Sequence, residues 1–178
     1  MTTFLLIRHC AATGQEPSAP LTPAGESQAI KLAETLKNFP ITRIVSSPYT
    51  RAIETITPFA QIHKIEVEQE NRLMERVLSS ENLPDWMEKL EMSFTTPSLA
   101  FEGGESGMEA TSRIVAVLDE LTVGSDDCIA IVSHGNLSAL LLRHISSEFG
   151  FEEWKSMRNP EVFVVEWTVD TKRFHKLT

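Results

Sequence analysis

Two cysteines in 178 residues, Cys10 and Cys128, are too few for a disulfide framework, and neither sits in a metal-type Cys-x-x-Cys pair. No apolar run approaches the ~20 residues needed to span a bilayer. Met1-Thr2-Thr3-Phe4 offers no basic stretch ahead of an apolar one, so no secretory signal is expected and the expected location is cytoplasmic. Positive charge is scarce: 16 Lys and Arg against 25 Asp and Glu leave a formal net charge of −9. That balance opposes non-specific binding to nucleic acid or to an anionic membrane, and neither is expected as a partner. An anionic substrate would need a local basic pocket, so each well-placed arginine carries weight. Internal repeats and low-complexity stretches are lacking too. At 42% hydrophobic and 23% charged residues, the chain is expected to fold as one globular domain, residues 1–178, with a substantial core.

What is present is an alternation of strands and helices. The apolar run 4–7 predicts a buried strand ending at Arg8-His9. Thr22-Pro23 reads as an N-cap followed by a first-turn proline, opening a helix over 24–38 that Pro40 ends. A second strand at 42–46 leads through Ser47-Pro48 into a helix over 49–62, and a third strand is expected at 64–67. Residues 69–104 are less regular, with a short helix near 83–92. After Gly103-Gly104, residues 105–121 have the pattern of an amphipathic helix. The strand 128–133 follows, then a helix from Gly135 to about 149, and a hairpin of 162–169 with 173–177 turning at Asp170-Thr171-Lys172. This order predicts an α/β fold with a mainly parallel sheet.

Strands of a parallel sheet share one carboxyl edge, where open α/β sheets hold ligands. Arg8, His9, Arg51 and His134 all fall just after strand-like segments, so they can converge although distant in sequence. Arginine offers a fixed fork of donors to phosphate oxygens, and histidine can act as nucleophile or proton carrier. His134-Gly135-Asn136 opens a helix whose free N–H groups suit an anion. Glu75, in a loop, could supply a proton to a leaving group. Taken alone, Arg51 reads as a surface helix residue, Glu75 as a solvated carboxylate beside a Glu70–Arg72 surface pair, and His134 as a core histidine. His63, His144 and His175 lack the context of a site. Trp86, Met87, Leu90, Met92, Phe94 and Phe101 could line a pocket or pack on one another with equal ease.

Leu6-Ile7-Arg8-His9 with Thr13, then Ser46-Ser47-Pro48-Tyr49-Thr50-Arg51-Ala52, Leu73-Met74-Glu75, Gly103-Gly104-Glu105-Ser106 and Val132-Ser133-His134-Gly135 resemble, in order, the motifs of the histidine phosphatase superfamily. That is the family of the cofactor-dependent phosphoglycerate mutases and their phosphatase relatives. The resemblance implies a three-layer sandwich, with helices on both faces of the sheet and a small lid inserted at about 76–104. It makes His9 the nucleophile that becomes phosphohistidine and Glu75 the acid for the leaving alcohol. Arg8, Arg51 and His134 would hold the phosphoryl oxygens, and Thr13, Gln15, Gly135 and Asn136 complete the expected binding set. Arginines beside His9 should keep its imidazole neutral, whereas Glu75 must be protonated to act as an acid. No metal and no cofactor are expected.

The departures are specific. Cys10 stands where the family usually has glycine, placing a thiol beside the nucleophile. Gln15 replaces a common asparagine, and Arg76-Val77-Leu78-Ser79 lacks the glycine and aromatic residues common after the acid. Acidic Glu81, Asp85, Glu88 and Glu91 in the lid argue against highly anionic substrates. A cysteine-dependent phosphatase loop starting at Cys10 would need arginine six residues on, where Glu16 stands. The expected activity is metal-independent hydrolysis of a small phosphorylated metabolite. A phosphoglycerate-type mutase and a phosphate-binding regulatory protein without turnover are the alternatives; oligomeric state is not readable.

Overall fold

The computed structural model describes residues 1–124 and 128–177. Six strands form one sheet: β1 (Thr2–Arg8), β2 (Ile41–Ser46), β3 (Val67–Gln69), β4 (Cys128–Ser133), β5 (Glu161–Trp167) and β6 (Lys172–Lys176). Their spatial order is β3-β2-β4-β1-β5-β6. The first four run parallel, and β5 and β6 add antiparallel pairs at one side. The apolar runs of β1 and β4 are continuous because both faces are covered. Phe4, Leu6, Ile129 and Ile131 pack into one core; Leu5, Ile7, Ala130 and Val132, one residue out of phase, pack into the other.

The helices divide accordingly. α1 (Pro23–Leu36) and α2 (Thr50–His63) cover one face through Leu32, Leu36, Ile56 and Phe59. α4 (Gly107–Thr122) and α5 (Gly135–Ile145) cover the other through Ile114, Leu118, Leu137 and Leu141. Two shorter helices, α3 (Trp86–Thr95) and α6 (Phe151–Ser156), meet beside α5 through Phe94 and Phe151, whose rings lie 6.1 Å apart. Local signals set the starts: Thr22 accepts from the Gly25 N–H at α1, and Ser106 with Glu109 closes a reciprocal capping box at α4.

Several boundaries differ from the sequence pattern. The third strand begins at Val67, not residue 64, because Lys64 is the left-handed residue ending α2 (φ 57°), and pairing with β2 starts at Val67 opposite Ile44. The helix expected to run to about 149 ends at Ile145; Ser146 is extended, and Phe149 turns inward onto Phe163 and Phe174. The periodicity gave no sign of α6. In the hairpin the strand stops at Trp167, Thr168 and Thr171 form the turn, and Lys172 already belongs to β6.

Candidate active site

Register brings the expected residues to one edge. Arg8 pairs with Ser133 and Ser46 with Val132, so the residues that follow, His9, Ser47 and His134, leave the sheet side by side. The His9 N–H donates to the Ser133 carbonyl at 3.1 Å and the Ser47 N–H to the Val132 carbonyl at 2.9 Å. The imidazoles of His9 and His134 meet edge to face, 5.1 Å between centroids.

The tautomer of His9 follows from its partners. Nδ1 lies 2.7 Å from the Cys10 carbonyl, which can only accept, so Nδ1 carries the proton and Nε2 holds a lone pair. Arg51 Nε donates to that Nε2 at 3.2 Å. The loop is held from behind: Asn159 Nδ2 donates to the His9 carbonyl at 2.8 Å, and the Cys10 N–H donates to Thr55 Oγ1 at 2.8 Å. Burial pulls the His9 pKa down to about 4, with Arg51 and Arg8 pushing the same way and the Cys10 carbonyl opposing. The imidazole is neutral at ordinary pH, as a nucleophile must be. His134 is shifted well downward too, by burial first and then by His9 and the arginines; its Nε2 meets Ser47 Oγ at 2.8 Å.

Arg51 is fully buried in the first turn of α2; Nη1 donates to the Glu16 carbonyl, and the guanidinium lies 4.9 Å from the Tyr49 ring centre. Arg8 Nη1 donates to the Met157 carbonyl at 2.7 Å. Burial lowers the pKa of both arginines, and Glu75 opposes that at each. Gly135 makes room for Arg8: a Cβ there would stand 2.9 Å from Arg8 Nε.

The start of α5 was expected to offer free N–H groups. Those of Asn136 and Leu137 instead donate to the Glu75 carboxylate at 3.0 and 2.9 Å, and the Arg76 N–H adds a third bond at 2.8 Å. A helix terminus suits an anion, and here the anion is a side chain of the chain itself. Glu75 is thereby fixed beside the arginines rather than solvated.

A cavity of about 540 Å³ opens over this edge, with Arg8, Gln15, Glu75, Gly135 and Asn136 on its wall. His9, Arg51 and His134 are buried next to it, with His9 only 7% exposed. Thr13 is exposed and anchored through its N–H to the Pro20 carbonyl; it is not part of the wall. Among the described residues, the buried side-chain polar atoms without a partner are Arg8 Nε, Arg76 Nη2, His134 Nδ1, Asn136 Nδ2 and Oδ1, and Ser138 Oγ. Such atoms are normally satisfied. Here they gather on the residues that enclose one site and its immediate surroundings.

Residues that sequence reasoning missed are Ser47, Thr55, Arg76, Trp154, Lys155, Met157 and Asn159. Ser47 was visible as a helix start and as part of the Ser46–Ala52 motif, with no role assigned to it. Trp154, Lys155 and Met157 carried no motif, and α6 brings them to the wall. Of the six hydrophobic residues singled out between 86 and 101, Trp86, Met87 and Leu90 line the cavity; Phe94 joins the core, Phe101 lies under Lys89, and Met92 is exposed. The acidic Glu81, Asp85, Glu88 and Glu91 are all exposed and off the wall, so they do not set its charge. Glu70 does pair with Arg72, which also pairs with Glu120. His63 stacks on Phe59. Cys10 is fully buried and its pKa is pushed up to about 11, so no reactive thiolate stands beside His9. Among the described residues, no three His, Cys, Asp or Glu side chains are grouped to hold a metal, and no helix is long and apolar enough to cross a membrane.

Comparison with known proteins agrees with this geometry. The model of the histidine phosphatase superfamily, branch 1, matches residues 4–178. The probable phosphoglycerate mutase GpmB of Salmonella choleraesuis (strain SC-B67) is 31% identical over 156 residues, 82% of this chain and 70% of the relative. A mycobacterial glucosyl-3-phosphoglycerate phosphatase solved with inorganic phosphate superposes with a TM-score of 0.79 at 22% identity, covering 99% of this chain and 95% of its own. A phosphoserine phosphatase mutant from Entamoeba histolytica, in complex with phosphoserine, gives a TM-score of 0.75 at 22% identity, covering 98% and 95%. At those identities the two structures speak to the fold.

Proposed function

The chain belongs to the histidine phosphatase superfamily, and within it we propose that this protein is a phosphomonoesterase acting through a phosphohistidine on His9. The carrying observation is the His9 tautomer: Nδ1 is committed to the Cys10 carbonyl, leaving the lone pair on Nε2, which Arg51 meets at 3.2 Å and the charge of Arg8 reaches. The substrate proposed is a small phosphorylated molecule. As its phosphoryl group enters, Arg51 Nε–H turns from His9 Nε2 to a phosphoryl oxygen, freeing the lone pair. Nε2 then attacks phosphorus in line, the P–N bond forms, and the ester P–O bond breaks. Substrate arriving as its monoanion gives its proton to the Glu75 carboxylate, and the departing alkoxide takes it from there. Charge on the equatorial oxygens is held by Arg8, Arg51 and the Nδ1–H of His134, whose Nε2 would accept from Ser47. In the second half, water gives its proton to Glu75 and its oxygen to phosphorus, the P–N bond breaks, and phosphate leaves. The positive charge comes from side chains, so the reaction is proposed to run without metal.

The test is phosphate release from an aryl phosphate in EDTA, with rapid quenching in alkali to trap an acid-labile phosphoenzyme. The reading requires both signals in the wild type and neither in His9→Ala. Turnover surviving His9→Ala would overturn it. The similarity to a probable phosphoglycerate mutase motivates a second reading, in which the phosphoryl group passes to another substrate hydroxyl rather than to water. Isomer formation from 3-phosphoglycerate without release of phosphate would favour it.

A further inference from the structure

Beyond the phosphoryl site the cavity changes character. Leu78, Trp86, Met87, Leu90, Trp154 and Met157 supply the apolar part of its wall. Trp86 and Met87 are 47% and 37% exposed, so they are not consumed by packing within the lid. Trp154 is braced from behind: its ring lies 5.5 Å from Phe151, which rests on Phe94 of the core. A volume of about 540 Å³ is that of a pocket for a ring-bearing ligand and more than a three-carbon chain would fill.

Set among these apolar groups is one buried cation. Arg76 is 6% exposed; Nη1 donates to Ser93 Oγ at 2.7 Å and Nε to the Glu105 carbonyl at 3.2 Å, while Nη2 has no partner. Its acidic neighbours are already engaged, Glu75 by three backbone N–H groups and Glu105 by Arg113. A buried N–H of a charged group left unpaired is costly, and an arriving acceptor would recover that cost. With Arg8, Lys155 brings the cations on the cavity wall to three, although Lys155 is exposed and its ammonium lies over the Phe151 ring.

We propose that the leaving group of the substrate is a ring-sized, largely apolar alcohol bearing an oxygen acceptor, with Trp86 and Trp154 flanking the ring and the Arg76 guanidinium turning its unpaired Nη2 from its buried position to the acceptor. This rests on the phosphatase reading above and makes Arg76 a specificity residue. The experiment compares glycerol phosphate, phenyl phosphate and the carboxyphenyl phosphate isomers. In the wild type, kcat/KM should favour phenyl over glycerol phosphate by about tenfold or more, and one carboxyphenyl isomer over phenyl by about tenfold again. Arg76→Gln should collapse the ratio between that isomer and phenyl phosphate, and Arg76→Lys should restore part of it. Trp86→Ala, at an exposed position that the fold does not need, should collapse the ratio between phenyl and glycerol phosphate. Glycerol phosphate handled as well as phenyl phosphate, or a carboxyl preference intact in Arg76→Gln, would overturn the proposal. Binding of the same phosphates to His9→Ala, followed by tryptophan quenching, reads the same ratios without turnover. Failure of phosphatase activity is thereby separated from failure of this inference.

Discussion

At one end, Arg8 on the cavity wall and His9 and His134 buried next to it leave the ends of β1 and β4, strands buried on both faces and locked in register. At the other, Trp86, Met87 and Leu90 come from a ten-residue helix in irregular chain, and Trp154 and Lys155 from a six-residue one. The first end is tightly bonded: Cys10, Thr55, Asn159 and Glu16 each fix the His9 loop or Arg51. The second is apolar, partly exposed, and bonded chiefly through Arg76 and the turn at Gly104, where a Cβ would meet the Leu78 carbonyl at 2.1 Å. Phosphoryl transfer tolerates little displacement of its charged groups, whereas recognition of a leaving group can be met by shape and burial. Substitutions at the first end should therefore lower turnover of every phosphomonoester, and substitutions at the second should re-rank substrates.

His9→Ala should have the largest effect, a loss of about 10³-fold or more in kcat for all substrates alike. A substrate-dependent loss would break the contrast between the two ends. Arg51→Ala should follow, at about 10²–10³-fold, since it removes both a charge and the contact to His9 Nε2. Gly135→Ala is a sharper probe because it adds only a methyl group. Its Cβ would press on Arg8 Nε at 2.9 Å and Cζ at 3.0 Å, and kcat/KM should fall by about tenfold with the fold retained. Circular dichroism alongside kinetics checks both parts.

The pH response separates the ends in another way. The His9 pKa is depressed from 6.5 to about 4, so kcat/KM should show no loss from His9 protonation until the pH nears 4. For stability the sign is equally definite. Below 6.5 the unfolded chain binds the proton first, so the contribution of a neutral buried His9 is full above 6.5 and declines as the pH falls toward 4, by on the order of 3 kcal/mol at most. His134 acts in the same direction. Urea midpoints at pH 7 and 4.5 should differ less in His9→Ala than in the wild type. Cys10→Ser should have the smallest effect, within about twofold in kcat, and thiol reagents should spare Cys10 in the folded protein, because its buried thiol is not ionised. Rapid alkylation of Cys10 with loss of activity would show the tight end to be looser than its bonds imply.

Much of the first end was legible in the sequence because it is written in local signals. A continuous apolar run followed by Arg8-His9 marks a strand end, Thr22-Pro23 and Ser47-Pro48 mark helix starts, and parallel strands share an edge whatever their distance in sequence. The role of Ser47, the burial of Arg76 and the position of α6 were not legible, since each depends on a partner remote in the chain: His134, Ser93 and Phe94. The bonds closing the start of α5 with Glu75 were hidden for the same reason, as residues 61 and 62 positions apart must meet.

Composition and pattern alone determined the α/β alternation, the two-sided burial of the central strands and the convergence of His9, Arg8, Arg51 and His134, because hydrophobic periodicity and strand direction need no knowledge of particular contacts. Which nitrogen of His9 keeps its lone pair was left to the tertiary structure. So was the turning of Glu81, Asp85, Glu88 and Glu91 away from the cavity, and the coming together of a buried arginine and two tryptophans on the wall that also holds Arg8. Those outcomes depend on packing between segments that share no local signal, where a rotation of one short helix changes which side chains face the ligand.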